Sequence, residues 1–378
     1  MIQYFINIPL EHKITYAILL FAFFIQSLYY LLIFLRPVRW RRGDKNNKKE
    51  PISIIICAQN EFVNLQAYLP KVLEQDYPNY EVIVVNDCSV DDTEMLLGEL
   101  EQKHKHLRHT TIDQDNKFSH GKKLAVTIGM KSAKHNHLVF IDADCYPVSN
   151  QWLNEISKSY TINKQIVLAY GGYENKKGLL NKIIRFDTIF IAMQYLGFAL
   201  VGRPYMGVGR NLSYLKQLFF SGRGFAKHYH LLSGDDDLFI NENANKENTA
   251  TLLSSNSFTL SKPQTNWNSW AKQKKRHLTT GKYYKKSDKF FLGAEIFTRF
   301  LFYISLIALI YLKADVIIIS AAYSFRLILQ IVVFKLNMNK LNEKGFLMLI
   351  PLFDILLPIF HFIFILSNRI NSRNNKWK

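Results

Sequence analysis

Four stretches of this chain are too long and too apolar to be surface elements of a protein in water. Residues 14–35, 291–312, 316–334 and 346–366 are built largely from Leu, Ile, Val, Phe, Ala and Tyr. Roughly twenty such residues in a helix cross the hydrocarbon of a bilayer. The first stretch breaks off into Arg36, Arg39, Arg41 and Arg42 with no small-residue cleavage site behind it, which predicts a retained anchor rather than a signal peptide. By the positive-inside rule the basic flank puts the following domain in the cytoplasm. The later stretches carry Arg299, Arg326 and Asp354. Charges at membrane depth face a bundle interior and pair, so Arg326 and Asp354 are expected to form a structural pair. Four spans leave the C-terminus outside, whereas the tail cations Arg369, Arg373, Lys376 and Lys378 favour the inside; four spans are expected nonetheless. The predicted division is an anchor over 1–36, a basic linker over 37–50, a cytoplasmic domain over 51–290, membrane helices over 291–367 and a basic tail over 368–378. A multi-pass protein of the inner (cytoplasmic) membrane is expected.

The net charge of +18 would by itself point to nucleic acid or to an anionic membrane surface. The cations are clustered over 36–49 and 272–289, each cluster beside an apolar stretch, as in cytoplasmic flanks of membrane spans. No nucleic-acid recognition motif accompanies them, so that partner class is excluded. Cys57, Cys88 and Cys145 are odd in number and fit no zinc spacing, so they read as free thiols in a reducing compartment. His104, His106 and His109 read as a solvated helix end.

Between the apolar stretches, β-forming runs alternate with helical patterns. Residues 52–57 read as a buried strand, 61–75 as a helix with Leu65, Leu69 and Leu73 on one face, and 82–85 as a second strand ending in Asn86-Asp87-Cys88-Ser89. A helix over 92–103, a strand over 107–112 and a helix over 121–134 follow. This alternation means a mostly parallel sheet with crossover helices. The next strand, His137-Leu138-Val139-Phe140-Ile141, runs into Asp142-Ala143-Asp144. Carboxylates at the carboxyl end of such a strand lie where α/β sheets bind ligands. At period two, Asp142 and Asp144 point the same way and offer two hard oxygens to one cation, which suits Mg²⁺ or Mn²⁺ completed by substrate phosphates. Neither a Gly-x-Gly-x-x-Gly nor a Walker loop is present, which argues against dinucleotide or P-loop chemistry. Residues 183–201 are apolar but carry Arg185, Asp187 and Gln194, and read as an amphipathic helix at the membrane interface.

Taken in order, Ile54-Ile55-Ile56-Cys57-Ala58-Gln59-Asn60-Glu61, Gln75-Asp76-Tyr77-Pro78, Val84-Val85-Asn86-Asp87-Cys88-Ser89-Val90-Asp91-Asp92-Thr93, Gly121-Lys122, Asp142-Ala143-Asp144 and Gly234-Asp235-Asp236 resemble glycosyltransferase family 2. These are inverting enzymes built on the GT-A fold, and the resemblance covers roughly 51–281. It implies a nucleotide-sugar donor, with UDP the expected nucleotide, and a divalent metal. Ala58, Glu61 and Asp87 would hold the nucleoside, Asp87 by accepting the uracil imide hydrogen. Lys122 would meet the diphosphate, and Asp144 with Asp142 would hold the metal that stabilises the departing nucleotide. Asp235 and Asp236 align with the family's acidic pair, Asp236 falling on the general base. Three consecutive aspartates leave that register open by one residue, and Asp237 is expected to cap the following helix.

Membrane-bound members of the family commonly carry Gln-x-x-Arg-Trp, where this chain reads Gln273-Lys274-Lys275-Arg276-His277. Gln273 and Arg276 are retained for the donor. The missing tryptophan removes a flat stacking surface for an acceptor sugar. Lipid-glycosylating members such as ceramide glucosyltransferases are the closer comparison, on Arg185-Phe186-Asp187 and Met206-Gly207-Val208-Gly209-Arg210-Asn211. The expected acceptor is therefore a lipid-linked or membrane-embedded molecule. A subunit of a processive polysaccharide synthase is the alternative enzyme. A membrane scaffold with a dead transferase domain is the alternative outside catalysis, and the retained Asp87, Asp142, Asp144, Asp236 and Arg276 argue against it.

Overall fold

The computed structural model describes residues 9–43, 48–113 and 121–370. Helix α1 (Leu10–Leu28) runs into a π-helical turn, Tyr29–Phe34. The α/β domain follows with β1 (Ile52–Ala58), α2 (Phe62–Leu73), β2 (Tyr80–Asp87), α3 (Thr93–Lys103), β3 (Leu107–Ile112), α4 (Lys122–Ser132) and β4 (His137–Phe140). After β4 come β5 (Cys145–Pro147), α5 (Trp152–Ser157), β6 (Ile166–Ala169), β7 (Gly171–Tyr173), α6 (Leu179–Leu200), β8 (Leu212–Leu215), α7 (Lys216–Ser221), α8 (Asp237–Asn243), β9 (Thr249–Leu252), β10 (Thr259–Ser261) and α9 (Trp267–His277). Three long helices end the described chain: α10 (Lys286–Tyr311), α11 (Val316–Lys340) and α12 (Ile350–Ile370).

The main sheet has the order β3-β2-β1-β4-β8-β6-β9, and a small second sheet has the order β5-β10-β7. β1 lies between two parallel partners, Ile54 facing Val82 of β2 on one side and Val139 of β4 on the other. A strand so placed is covered on both faces, which is why its run is apolar without alternation. Ile52, Ile54 and Ile56 meet Leu65, Leu69 and Leu97 on one face, while Ile55 meets Ile83, Val85, Ala125 and Met130 on the other. Beyond β4 the sheet turns mixed, with β8 antiparallel to both β4 and β6. The leucine face expected for α2 is buried. Of the three histidines only His104 sits at a helix end, as the C-cap of α3; the His106 ring lies tilted against Tyr80 at 4.8 Å, and His109 lies in β3 against Glu101 and 3.2 Å from Glu94.

Among the described residues five helical segments are long and apolar enough to cross a membrane: Leu10–Phe34, Leu179–Leu200, Lys286–Tyr311, Val316–Lys340 and Leu347–Ser367. Four match the expected spans. They leave Phe24, Ile304, Ile307, Phe325, Ile328 and Phe362 exposed, a belt of apolar surface that lipid rather than water accommodates. The fifth, α6, corrects the sequence reading. It is not an amphipathic helix at an interface, because it is buried around its circumference between the sheet domain and the other helices. Its two buried charges are tolerated because both find partners: Arg185 pairs with Glu343 and donates to Asn175, and Asp187 pairs with Lys274 of α9, with His361 of α12 3.5 Å away. The tail cations Arg369, Arg373, Lys376 and Lys378 lie outside the described side chains.

The expected pair of Arg326 and Asp354 is present at 2.9 Å, inside a larger network. Arg299 Nη1 lies 3.3 Å from the same carboxylate and also pairs with Glu295. Tyr303 donates to Asp354, and Arg326 donates to Gln26 of α1. Two cations and two anions thereby tie four helices together. Removing one partner of a buried pair strands a charge, which costs roughly 3–5 kcal/mol. Asp354→Asn should lower the unfolding midpoint in detergent, as a stability loss of that order requires. An unchanged midpoint would mean that Glu295 alone neutralises both arginines.

Candidate active site

The connection from β1 leads to β2 and β3 on one flank, and the chain then crosses back to place β4 on the other. At this reversal the carboxyl ends of the strands open into a crevice, the position where open α/β sheets take ligands. Ala58 ends β1 and Asp87 ends β2, both buried. β4 stops at Phe140, so Asp142 and Asp144 sit in the turn beyond it rather than on the strand. They share a site because the turn closes with Cys145 N–H donating to the Asp142 carbonyl at 3.0 Å, not because of strand period.

One ligand atom from each of Asp142, Asp144 and Cys145 lies within 4.8 Å of the others. The Cys145 sulfur is 2.8 Å from Ser261 Oγ. Burial and the Asp144 charge push its thiol well up, so it stays neutral and leaves the carboxylates as the ligands. Burial and the charge of Asp142 raise the Asp144 carboxyl. Such like-charge crowding is what a divalent cation relieves, and two hard oxygens suit Mg²⁺ or Mn²⁺. Asp142 goes the other way: burial would raise it, but the Lys122 ammonium beside it holds it below the usual range.

Lys122 opens α4 and bridges the two acidic motifs, with Nζ 2.8 Å from Asp142 Oδ1 and 3.1 Å from Asp235 Oδ2. Asp236, rather than the expected Asp237, is the N-cap of α8, because the helix starts at Asp237. Its Oδ1 accepts from Asp237 N–H and its Oδ2 from Gly209 N–H, both at 2.7 Å. Burial, then the charges of Asp235 and Asp237, raise its carboxyl to about 7. Asp237 turns away to accept from Leu238 N–H, Thr280 and Tyr284. Gly209 stands among these acids: a methyl there would lie 3.2 Å from Lys122 Nζ and 3.4 Å from Asp236 Oδ2.

On the other side of the crevice, the loops after β1 and β2 are laced together. Asn60 and Cys88 both take positive φ of 56°. Asn60 N–H donates to Ser89 Oγ, while Val90 N–H donates to Asn60 Oδ1, each at 2.8 Å. Phe62 N–H reaches Asp91 and Glu61 N–H reaches Thr93. This lacing places Glu61, whose carboxyl burial and the charges of Asp144 and Asp142 raise to about 7 against the opposing hydrogen bond from Asn64.

Arg276 lies at the end of α9, where its carbonyl accepts from Ser233 Oγ at 3.3 Å, and its charge helps hold Asp142 ionised. Gln273 is one turn earlier in the same helix, and its side chain makes no hydrogen bond among the described residues. His277 is exposed. Sequence reasoning missed Arg210, quoted only as part of a motif. Its guanidinium lies 4.4 Å above the Tyr173 ring, its charge acts on both Asp142 and Asp144, and its buried Nη1 has no hydrogen-bond partner among the described residues. Its charge was visible in the sequence, but its direction was not.

A parallel-sheet crevice with an acidic pair, a helix-start lysine and a second acidic pair defines a GT-A type domain. Residues 53–219 match the glycosyl transferase family 2 model. Among curated relatives, a poly-beta-1,6-N-acetyl-D-glucosamine synthase of Staphylococcus epidermidis is 30% identical over 32% of this chain and 28% of its own length. A UDP-Glc:alpha-D-GlcNAc-diphosphoundecaprenol beta-1,3-glucosyltransferase of Escherichia coli is 29% identical over 34% of this chain and 48% of its own. The chain thus matches less than half the length of either relative. A mannosyltransferase from Pyrobaculum calidifontis, solved with GDP-Man and Mn²⁺, shares the fold over 96% of this chain and 99% of its own at 15% identity and a TM-score of 0.62.

Proposed function

We propose that this chain is a membrane-bound, metal-dependent inverting glycosyltransferase that moves a sugar from a nucleotide-sugar, a UDP-sugar, to a lipid-linked or membrane-embedded acceptor. The observation that carries this reading is the meeting of the Asp142–Asp144 pair, Lys122 and the Asp235–Asp236 pair at one strand-end crevice. Asp142 and Asp144 would hold Mg²⁺ or Mn²⁺, which when bound neutralises charge growing on the departing diphosphate. Lys122 meets the same diphosphate as a point charge, and Arg276 stands over it from α9. Ala58, Glu61 and Asp87 line the nucleoside side, and Gln273 supports the donor from α9. The acceptor hydroxyl loses its proton to a carboxylate of the second acidic pair.

A membrane-bound acceptor is favoured by how α9 is held. Lys274 pairs with Asp187 of α6, Lys275 donates to Ser367 of α12, and Trp270 packs on Phe360 and Phe364. The helix beside the acids is thereby fastened to the membrane helices. The catalytic domain faces the cytoplasm, where nucleotide-sugars are found, and the inner membrane holds the rest. A processive synthase is a second reading, favoured by the polymer-forming staphylococcal relative.

The test is a panel of UDP- and GDP-sugars given to the detergent-solubilised protein with polyprenyl diphosphate-linked acceptors. Mn²⁺-dependent nucleotide release with UDP-sugars and a product longer by one residue are expected. A ladder of products would favour the synthase. No release with any donor would reject catalysis.

A further inference from the structure

Two lysines open α4, where the helix dipole disfavours positive charge. Lys122 is accounted for by its carboxylates. Lys123 belongs to no motif quoted above, yet it is only 4% exposed, and an ammonium so buried needs all of its donors matched. Its Nζ donates to the carbonyls of His228 at 2.5 Å, Leu231 at 2.9 Å and Ser233 at 2.8 Å.

Those carbonyls belong to the segment 222–234, which joins α7 to Asp235 and holds one short 3₁₀ turn, Ala226–His228. A segment with so little regular structure has carbonyls that must find partners elsewhere. Lys123 supplies three from a single atom, and all three acceptors lie within the last seven residues before Asp235. The far end is tied a second time, by Ser233 Oγ to the Arg276 carbonyl. Adjacent side chains of one helical turn therefore divide the work: Lys122 touches the Asp235 carboxylate, and Lys123 holds the backbone leading to it.

We infer that Lys123 is the positioning residue that sets the acidic loop against the metal-binding turn, by fixing residues 228–233 through their carbonyls. This rests on the reading of Asp235 and Asp236 as the acceptor-side acids. Without the ammonium the carbonyls turn to water, the segment loosens and Asp235 leaves its place opposite Lys122. The donor side, built from β1, β2 and the Asp142 turn, is untouched.

The experiment uses the full-length protein in detergent and two independent readouts. Arg223 and Lys227 are exposed within the segment, so trypsin cleavage after them reports its opening without any assay of activity. In Lys123→Met, which keeps length and loses the donors, cleavage at these two sites should rise roughly tenfold over wild type, with other sites unchanged. kcat should fall about 10²-fold, as expected for a misplaced catalytic group, with the donor KM held within about threefold. Lys123→Ala should regain slow cleavage and part of kcat when propylammonium is added, but not with tetramethylammonium, which has no N–H. Should Lys123→Met fail to fold, Lys123→Gln, which keeps two donors, gives the same pattern at smaller amplitude.

Unchanged cleavage at Arg223 and Lys227, or cleavage raised evenly along the chain, would overturn the inference. A kcat and KM that worsen together would do so as well. If wild type transfers no sugar while the cleavage pattern appears as stated, the proposed function fails and the role of Lys123 in holding the loop stands.

Discussion

Asp144→Asn should abolish transfer, with a loss of at least about 10³-fold, at the upper end of what removing one transition-state stabiliser costs. The change keeps the shape of the side chain and removes only its charge. The two members of the acidic turn are not equivalent. Asp142 already shares its charge with Lys122 at 2.8 Å, whereas Asp144 is crowded by burial and by Asp142. Asp144 is therefore the carboxylate with the most to gain from a cation, and its loss leaves one carboxylate already neutralised by a lysine. Titration of UDP with and without Mn²⁺ separates this from misfolding: the variant should bind UDP weakly and indifferently to metal, with an unchanged unfolding midpoint. Full wild-type activity in excess chelator, with normal donor affinity in the variant, would sink the metal site.

The second large effect concerns the base. Alignment pointed to Asp236, with the register open by one residue. We propose Asp235 as the base instead. Asp236 commits both oxygens to backbone N–H groups, those of Asp237 and Gly209, and so serves to start α8 and to hold the Gly209 turn. Asp235 faces Lys122, a cation with an alternative partner once a diphosphate enters. Asp235→Asn should lower kcat by about 10³–10⁴-fold while leaving donor KM near wild type, the range for losing a positioned general base. Asp236→Asn keeps a good capping side chain and should cost far less, about tenfold or below. The pH profile adds a check on Asp236. A carboxyl raised to about 7 is ionised above that pH and neutral below it. Its hold on the Gly209 amide is therefore full on the alkaline side and weakens as pH falls through 7. Wild-type activity should show an acid limb near that value, which Asp236→Asn removes. The reverse ranking of the two variants would return the base to Asp236.

The spans, the parallel sheet and the acidic turn were legible because each rests on a local pattern. An apolar run of some twenty residues has few fates, and β1 reads as Ile-Ile-Ile because it is covered on both faces. What failed was whatever depends on a distant partner. Helix α6 carries Arg185 and Asp187, which alone argue for an interface. Only the tertiary structure brings Glu343 and Lys274 to neutralise them and bury the helix. The arginine–aspartate pair at membrane depth was foreseen, but its extension to Arg299, Glu295 and Gln26 requires four helices in register.

At the site, sequence by itself determined which residue types stand at which strand ends: Ala58, Asp87, Asp142 and Asp144 follow from where apolar runs stop. It could not order three consecutive aspartates, since any of them can cap a helix. The start of α8 at Asp237 and the approach of the Gly209 amide decide between them. Nor could it tell Lys122 from Lys123, two identical side chains one position apart. Their Cα–Cβ directions differ by about 100° around the helix, so one enters the acid cluster and the other the carbonyls of a loop a hundred residues away in sequence. Composition and period act along the chain and are written in it. The assignment of a charge to its partner acts across space, and only the folded chain decides it.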